Sequence, residues 1–206
     1  MMRRPHFIAE HARNAHGLLG RFIAFIMARE TWRQNLRVMD ALRIEQADHV
    51  LDVGCGHGRS LTELAARAPR GHIVGVDSSE LMVEIAKKRN RRLIETPRVD
   101  VIRSSVEMLP FSDDMFDKVQ CIHVLYFWKN METSLGEIAR VLKPGGRLAL
   151  LFRTNADPKA IASFPRDIYS FPALVDVSAA LEHAGMDILV ADDSANQPAL
   201  VLATKR

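Results

Sequence analysis

Cysteine is nearly missing from this chain: Cys55 and Cys121 are the only two, and they form no CxxC pair. They can build neither a disulfide framework nor a zinc cluster, so no metal site is expected and a reducing cytoplasm is the expected setting. Long apolar runs are also lacking. The longest candidate, Leu18 to Ala28, covers eleven residues and is interrupted by Gly20 and Arg21, against roughly 20 for a membrane-crossing helix. The opening MMRRPHF has basic residues without the apolar stretch and cleavage site of a leader, so an unsecreted protein is expected. Internal repeats and low-complexity segments do not occur, and neither does the GxxxxGKS/T pattern of an ordinary nucleotide-triphosphate loop.

What is present fits one globular domain: 206 residues, 48% apolar and 26% charged, enough for a sizeable single core. The net charge of +3 is unevenly spread. Residues 1–46 hold eight arginines against four acids, so the whole excess lies there and the rest carries −1. That imbalance permits an anionic partner without requiring one.

In the same segment Leu19, Phe22, Ile23 and Ile26 recur at helical spacing. Residues 1–46 therefore read as a helical cap, acting as a lid over the remainder or as a peripheral contact with an anionic membrane surface. From residue 47 to 206, short β-branched runs alternate with amphipathic patterns. HVLDV, HIVGVD, RVDVIRS, FDKVQCIHVL and RLALLF read as strands, with KPGG as the turn before the last. Leu61, Leu64, Ala65 and Ala68 mark one helix. SSELMVEIAKKRNRRL forms a second, capped by Ser78–Ser79, with Leu81, Met82, Ile85 and Ala86 inward. A third carries Leu135, Ile138, Ala139 and Leu142, and a fourth runs from Phe171 to Ala184 with Gly185 as its stop. DILVAD and ALVLATK, joined by a short polar turn, suit an antiparallel hairpin. The expected fold is α/β and Rossmann-like: a doubly wound, mostly parallel sheet of about seven strands ending in that hairpin.

Chemistry concentrates at HVLDVGCGHGRS, residues 49–60. In a sheet of this kind, ligands bind at the carboxyl ends of the strands, where the winding reverses. Gly54, Gly56 and Gly58 follow the first strand there and let a ligand lie against bare backbone. Asp77 ends the second strand, nineteen residues after Gly58, where a carboxylate can accept from both hydroxyls of a ribose. The run is GxGxG with Arg59 where a dinucleotide fingerprint needs its third glycine, which counts against a nicotinamide-dependent oxidoreductase. Asp52, two residues before the first glycine, suits a ligand bearing an ammonium group.

VLDVGCGHG, VGVDSS, VEMLPFSDDMFDKV and LKPGGRLAL, in this order, resemble the motifs of class I S-adenosylmethionine-dependent methyltransferases over roughly residues 48 to 206. The resemblance implies S-adenosyl-L-methionine as cofactor and S-adenosyl-L-homocysteine as product. It places Asp52, Gly54, Cys55 and Gly56 along the methionine half, with Gly58 shaping the loop. Asp77 and Ser78 fall at the ribose, and Met82 near the ribose or adenine. Many relatives read Gly-Asp-Ala before the E-x-LPF element, the aspartate holding the adenine. Here Ser104, Ser105 and Val106 stand there, followed by Glu107, so Ser105, Val106 and Glu107 are the adenine-side candidates, with an uncharged hydrogen bond in place of a charged one.

His123, at the end of the fourth strand, reads as a pocket wall or a general base, and Tyr126 is the second candidate base. Tyr126, Phe127 and Trp128 suit an acceptor pocket, or the packing of their loop. Lys87 to Arg92 reads as a solvated helix end. No appended recognition domain is expected and no NPPY-type sequence occurs, so a small-molecule or lipid-like acceptor is expected rather than nucleic acid. Two rivals stay open: the oxidoreductase, and a non-catalytic module that binds S-adenosylmethionine.

Overall fold

The computed structural model describes Glu10, residues 31–194 and residues 197–206. The stripe Leu19, Phe22, Ile23 and Ile26 lies outside the described residues, and the lid and membrane-contact expectations built on it lie there too. Among the described residues no helix is long and apolar enough to cross a membrane.

Seven strands form one sheet in the order β3-β2-β1-β4-β5-β7-β6. They are β1 (His49–Val53), β2 (His72–Asp77), β3 (Val99–Arg103), β4 (Phe116–Ile122), β5 (Leu142–Phe152), β6 (Met186–Asp192) and β7 (Ala199–Lys205). The first five pair in parallel, and β7 pairs antiparallel with both β5 and β6. The doubly wound, mostly parallel sheet with a C-terminal hairpin is therefore the fold the sequence led one to expect. From β1 the chain winds outward to β2 and β3, then returns to β4 on the other flank. That reversal opens a crevice above the carboxyl ends of β1 and β4.

Helices cover both faces. On one, Met39 of α1 (Trp32–Leu42), Leu61 and Leu64 of α2 (Arg59–Arg67), and Val83 and Ala86 of α3 (Glu80–Arg89) are buried with Val50, Ile73 and Val99. Val38 and Leu42 of α1 extend this layer over Ala149, Leu151 and Leu200. On the other face, Leu135 and Ile138 of α5 (Met131–Val141) and Val177 and Leu181 of α7 (Leu174–His183) join Leu51, Val119, Leu148 and Val201. Strands covered on both sides need apolar residues at nearly every position, which is why HVLDV and HIVGVD lack a polar alternation.

Three element boundaries differ from the sequence expectation. The helix from Glu80 stops at Arg89 and restarts as α4 (Arg91–Glu95). Asn90, between them, is buried and turned inward, donating to Gly58 O and Ala86 O and accepting from Thr62 Oγ1, all at 2.9 Å. KPGG is not a separate turn: β5 starts at Leu142, and an irregularity absorbs the extra residues, since Phe116 faces Leu142 but Lys118 faces Arg147. The last helix opens at Leu174 rather than Phe171, because Pro172 biases Phe171 away from helical backbone. The described part of α6 completes the set at Pro158–Ser163.

Asn90 clamps the start of α2 to the end of α3 using most of its hydrogen-bonding capacity. Asn90→Ala is expected to cost about 2 kcal/mol, because it strands the Thr62 hydroxyl and a buried carbonyl. A urea melt should show a lower midpoint at an unchanged slope.

Candidate active site

The crevice is a cleft of about 440 Å³. Asp52, Gly54, Cys55, Gly56, Asp77, Ser78, Met82, Ser105, Val106, Glu107, His123 and Tyr126 all line it. Gly58, expected to shape the loop, does so from outside the cleft, as the residue that starts α2.

The glycine run is tied down from below. Gly54 N and Cys55 N both donate to Val76 O, at 2.8 and 3.0 Å. Gly56 N donates to Asp77 Oδ2 and Ser79 N to Asp77 Oδ1, each at 2.9 Å. An ionised carboxylate offers about four acceptor positions. Two on Asp77 are taken by backbone, one on each oxygen, and the other lone pair of each is left for a ligand. Burial raises the pKa of Asp77, while the bonds from Ser79 and Gly56 hold it down in part. Gly56 has φ +53, and a Cβ built on it meets nothing within 4 Å, so its face opens on free space.

Asp52 is buried and accepts a hydrogen bond from the Ser60 hydroxyl. Burial, helped by the Asp77 charge and opposed by Ser60 and Gln120, lifts its pKa to about 6. A buried acid poised there gains from a cation brought beside it. Burial pushes the Cys55 thiol up, so it is no nucleophile at neutral pH. His57 Nδ1 accepts from Arg59 N at 3.1 Å, and burial with the nearby Arg89 and Arg59 charges lowers its pKa to about 4.

At the adenine-side position Ser105 gives its hydroxyl proton to Glu107, whose other oxygen accepts from Lys129 N at 3.0 Å. Burial would raise the Glu107 pKa, but these bonds outweigh it and the net shift is downward. Ser105 therefore faces the cleft with its O–H already engaged.

His123 follows β4 with φ 58, a left-handed conformation rare outside glycine. The turn swings its ring inward, where Nε2 lies 2.6 Å from Gln34 Oε1 and Nδ1 lies 2.9 Å from Tyr126 Oη. Gln34 Oε1 only accepts, so Nε2 carries the proton and Nδ1 accepts from the tyrosine O–H. Tyr126 Oη in turn accepts from Arg153 N at 2.6 Å. Burial, with the Arg153 charge behind it, drives His123 down to about 4, and burial drives the Tyr126 pKa up. Both groups stay neutral at physiological pH, with the histidine lone pair spent.

Beyond them the cleft is walled by rings. Tyr169 stacks on Phe171 at 5.8 Å and contacts Phe164 and Phe127 at 4.8 and 5.0 Å. From α1, Trp32, Gln34 and Asn35 complete the lining, and the Arg59 guanidinium sits 3.9 Å above the Trp32 ring. Both tryptophans of the chain, Trp32 and Trp128, thus lie on this cleft. The sequence reading missed Trp32, Gln34, Asn35, Arg153, Phe164, Tyr169 and Phe171. The aromatic density of Phe164 to Phe171, following a strand that ends at the crevice, was the available signal.

The comparisons agree with this geometry. A family profile described as a methyltransferase domain matches residues 51–150. The chain is 32% identical to an O-methyltransferase of Pyrenophora dematioidea over 149 residues, covering 70% of this chain but only 55% of that protein. With the uncharacterised methyltransferase YdaC of Bacillus subtilis it shares 30% identity over 147 residues, 70% of this chain and 79% of YdaC. A crystal structure of a SAM dependent methyltransferase from Aquifex aeolicus shares the fold, with a TM-score of 0.70 at 23% identity over 84% of this chain and 89% of that one. The glycine run, the two carboxylates and the matched relatives together decide against the oxidoreductase: this chain belongs to the methyltransferase-domain family.

Proposed function

We propose that the protein transfers the methyl group of S-adenosyl-L-methionine to an oxygen of a small-molecule acceptor. The observation carrying this reading is the pairing of Asp77 and Gly56 across the mouth of the crevice. One keeps a lone pair on each carboxylate oxygen, and the other supplies bare backbone that opens on free space. When bound, the donor presents a methyl group activated on a sulfonium.

The residues fit it as follows. Asp77 receives the ribose hydroxyls, Met82 and Val106 bound the adenosyl moiety, and Asp52 faces the ammonium end across the glycine run. Ser60 holds the Asp52 carboxylate in place. The ring wall and the α1 residues keep water from the far end of the cleft. His123 and Tyr126 serve as positioning residues, since neither offers a basic lone pair at neutral pH. Orientation is then the main lever, worth about 7–11 kcal/mol in well-aligned cases. An oxygen acceptor is favoured by the O-methyltransferase named above, and a small one by the cleft volume of about 440 Å³.

Calorimetric titration with S-adenosyl-L-homocysteine tests the donor site. Micromolar binding at pH 8 is expected; no binding at millimolar ligand would remove the proposal. The affinity should also carry a proton signature. Asp52, at about 6 in the free protein, must be ionised to face an ammonium group. Binding therefore holds its strength above pH 6 and weakens as pH falls through that value, by about tenfold at pH 5. Asp52→Asn should flatten this slope; a slope that persists in the variant would take Asp52 out of the site.

A further inference from the structure

A methyl acceptor with an O–H bond must lose its proton at some point, and the described residues at the ring-lined end of the cleft do not offer an obvious taker. His123 gives its proton-bearing nitrogen to Gln34 and its lone pair to Tyr126. The Tyr126 oxygen gives its proton to that histidine and accepts from Arg153 N. Thr31 ahead of α1, and Trp32, Gln34 and Asn35 on it, are neutral. The cleft carboxylates each have partners: Asp52 on Ser60, Asp77 on two backbone N–H groups, Glu107 on Ser105 and Lys129 N. His57 lies on the glycine loop, its Nδ1 bonded to Arg59 N. Charge at the ring-lined end comes from one ion pair: Arg153, a lining residue of the cleft, bonds Asp157 at 2.5 Å.

We infer that the acceptor is an acidic hydroxyl on a flat conjugated molecule, taken as its oxygen anion, with Arg153 beside the charge and the Phe127, Tyr169 and Phe171 rings along the plane. This rests on the methyltransferase reading above. The step balances without an enzyme base. The acceptor oxygen forms a bond to the methyl carbon as the carbon–sulfur bond breaks, the bonding pair stays on sulfur, and an anion and a sulfonium become two neutral molecules. No proton moves. Charge cancellation of this kind gains from a site walled by rings, where opposite charges attract more strongly than in water. Arg153 shifts nearby groups in the required direction: its charge helps keep His123 unprotonated, and it stabilises an anion placed there for the same reason.

The test uses phenols of one size and graded acidity, 4-nitrophenol, 4-cyanophenol and 4-ethylphenol. The first readout needs no turnover. 4-Nitrophenol added to protein saturated with S-adenosyl-L-homocysteine should show phenolate absorbance at a pH where the free dye is mostly neutral. The double variant Arg153→Gln/Asp157→Asn, which removes both members of the ion pair, should lose that signal. Dye that binds and stays neutral in the wild type overturns the inference. In methyl transfer, the pH at which kcat/KM levels off should follow each phenol's own acidity. At pH 7 the ethyl compound, with an acidity near that of tyrosine at about 10, should be slower than the nitro compound by about a hundredfold. With the donor saturating at every pH, one common break across the series above pH 7, or loss of all turnover in Tyr169→Phe with donor binding intact, would place a base on the enzyme and overturn it. So would binding of the donor product with no turnover of any phenol. If the donor product itself fails to bind, the underlying reading falls instead.

Discussion

Gly58→Ala is expected to lower the melting temperature by about 10 °C, while Gly56→Ala, two residues away in the same run, is expected to lower it by only about 4 °C. A Cβ on Gly58 would lie 2.7 Å from Ala86 Cβ, 2.7 Å from Asn90 Nδ2 and 2.9 Å from the Ala86 Cα. The last of these is main chain, so no rotamer change relieves it, and α3 must shift against α2 and break the Asn90 clamp. Overpacking of this kind costs about 1–3 kcal/mol, and the left-handed φ of +73 adds about 1–2 kcal/mol for a residue with a side chain. A total of about 4 kcal/mol converts to some 10 °C in a chain of this size, at about 2–4 °C per kcal/mol. On Gly56 only the conformational cost applies, because the added methyl meets nothing. That methyl instead enters the space proposed for the donor, so Gly56→Ala should fold and fail to bind S-adenosyl-L-homocysteine. Calorimetric melts and titrations of the two variants check both halves; a Gly56→Ala protein that binds normally would move the ligand elsewhere.

Asp77→Asn should weaken binding of the same ligand by about a thousandfold. Two charge-assisted hydrogen bonds are at stake, each worth about 1.5–3 kcal/mol, and the amide presents an NH₂ to one of the backbone donors it must satisfy. Disturbance of the loop through Gly56 N would also reduce affinity, so the ligand must be varied as well. A 2′,3′-dideoxy form of S-adenosyl-L-homocysteine should bind the wild type far more weakly than the parent compound, yet bind Asp77→Asn about as well as the parent does. Equal penalties for losing the diol in both proteins would show that Asp77 supports the loop without touching the ribose.

The parts legible in the sequence are those where local backbone geometry or a short contact fixes the residue type. Gly56 and Gly58 need positive φ, and Asp77 must cap β2 and the loop beside it. These demands act within some twenty residues and leave a spaced pattern. The helical stripes of α2 and α5 were visible for the same reason, since each faces one sheet. The bond from Gln34 to His123 crosses 89 positions, so nothing near either residue announces it, and the sequence left His123 open as a pocket wall or a general base because its partners were out of sight. Phe164, Tyr169 and Phe171 lie in a segment with little regular structure, where rings follow no period. The KPGG run misled because a strand can carry an irregularity that looks like a turn.

Trp32 and Trp128 have one further consequence. With every indole of the chain set on the same cavity wall, the protein's own emission becomes an unlabelled gauge of occupancy. Trp32 sits beneath the Arg59 cation, and Trp128 follows Phe127, whose ring packs on Tyr169. Single Trp→Phe versions at each position would let donor filling and acceptor filling be followed as separate signals in one cuvette.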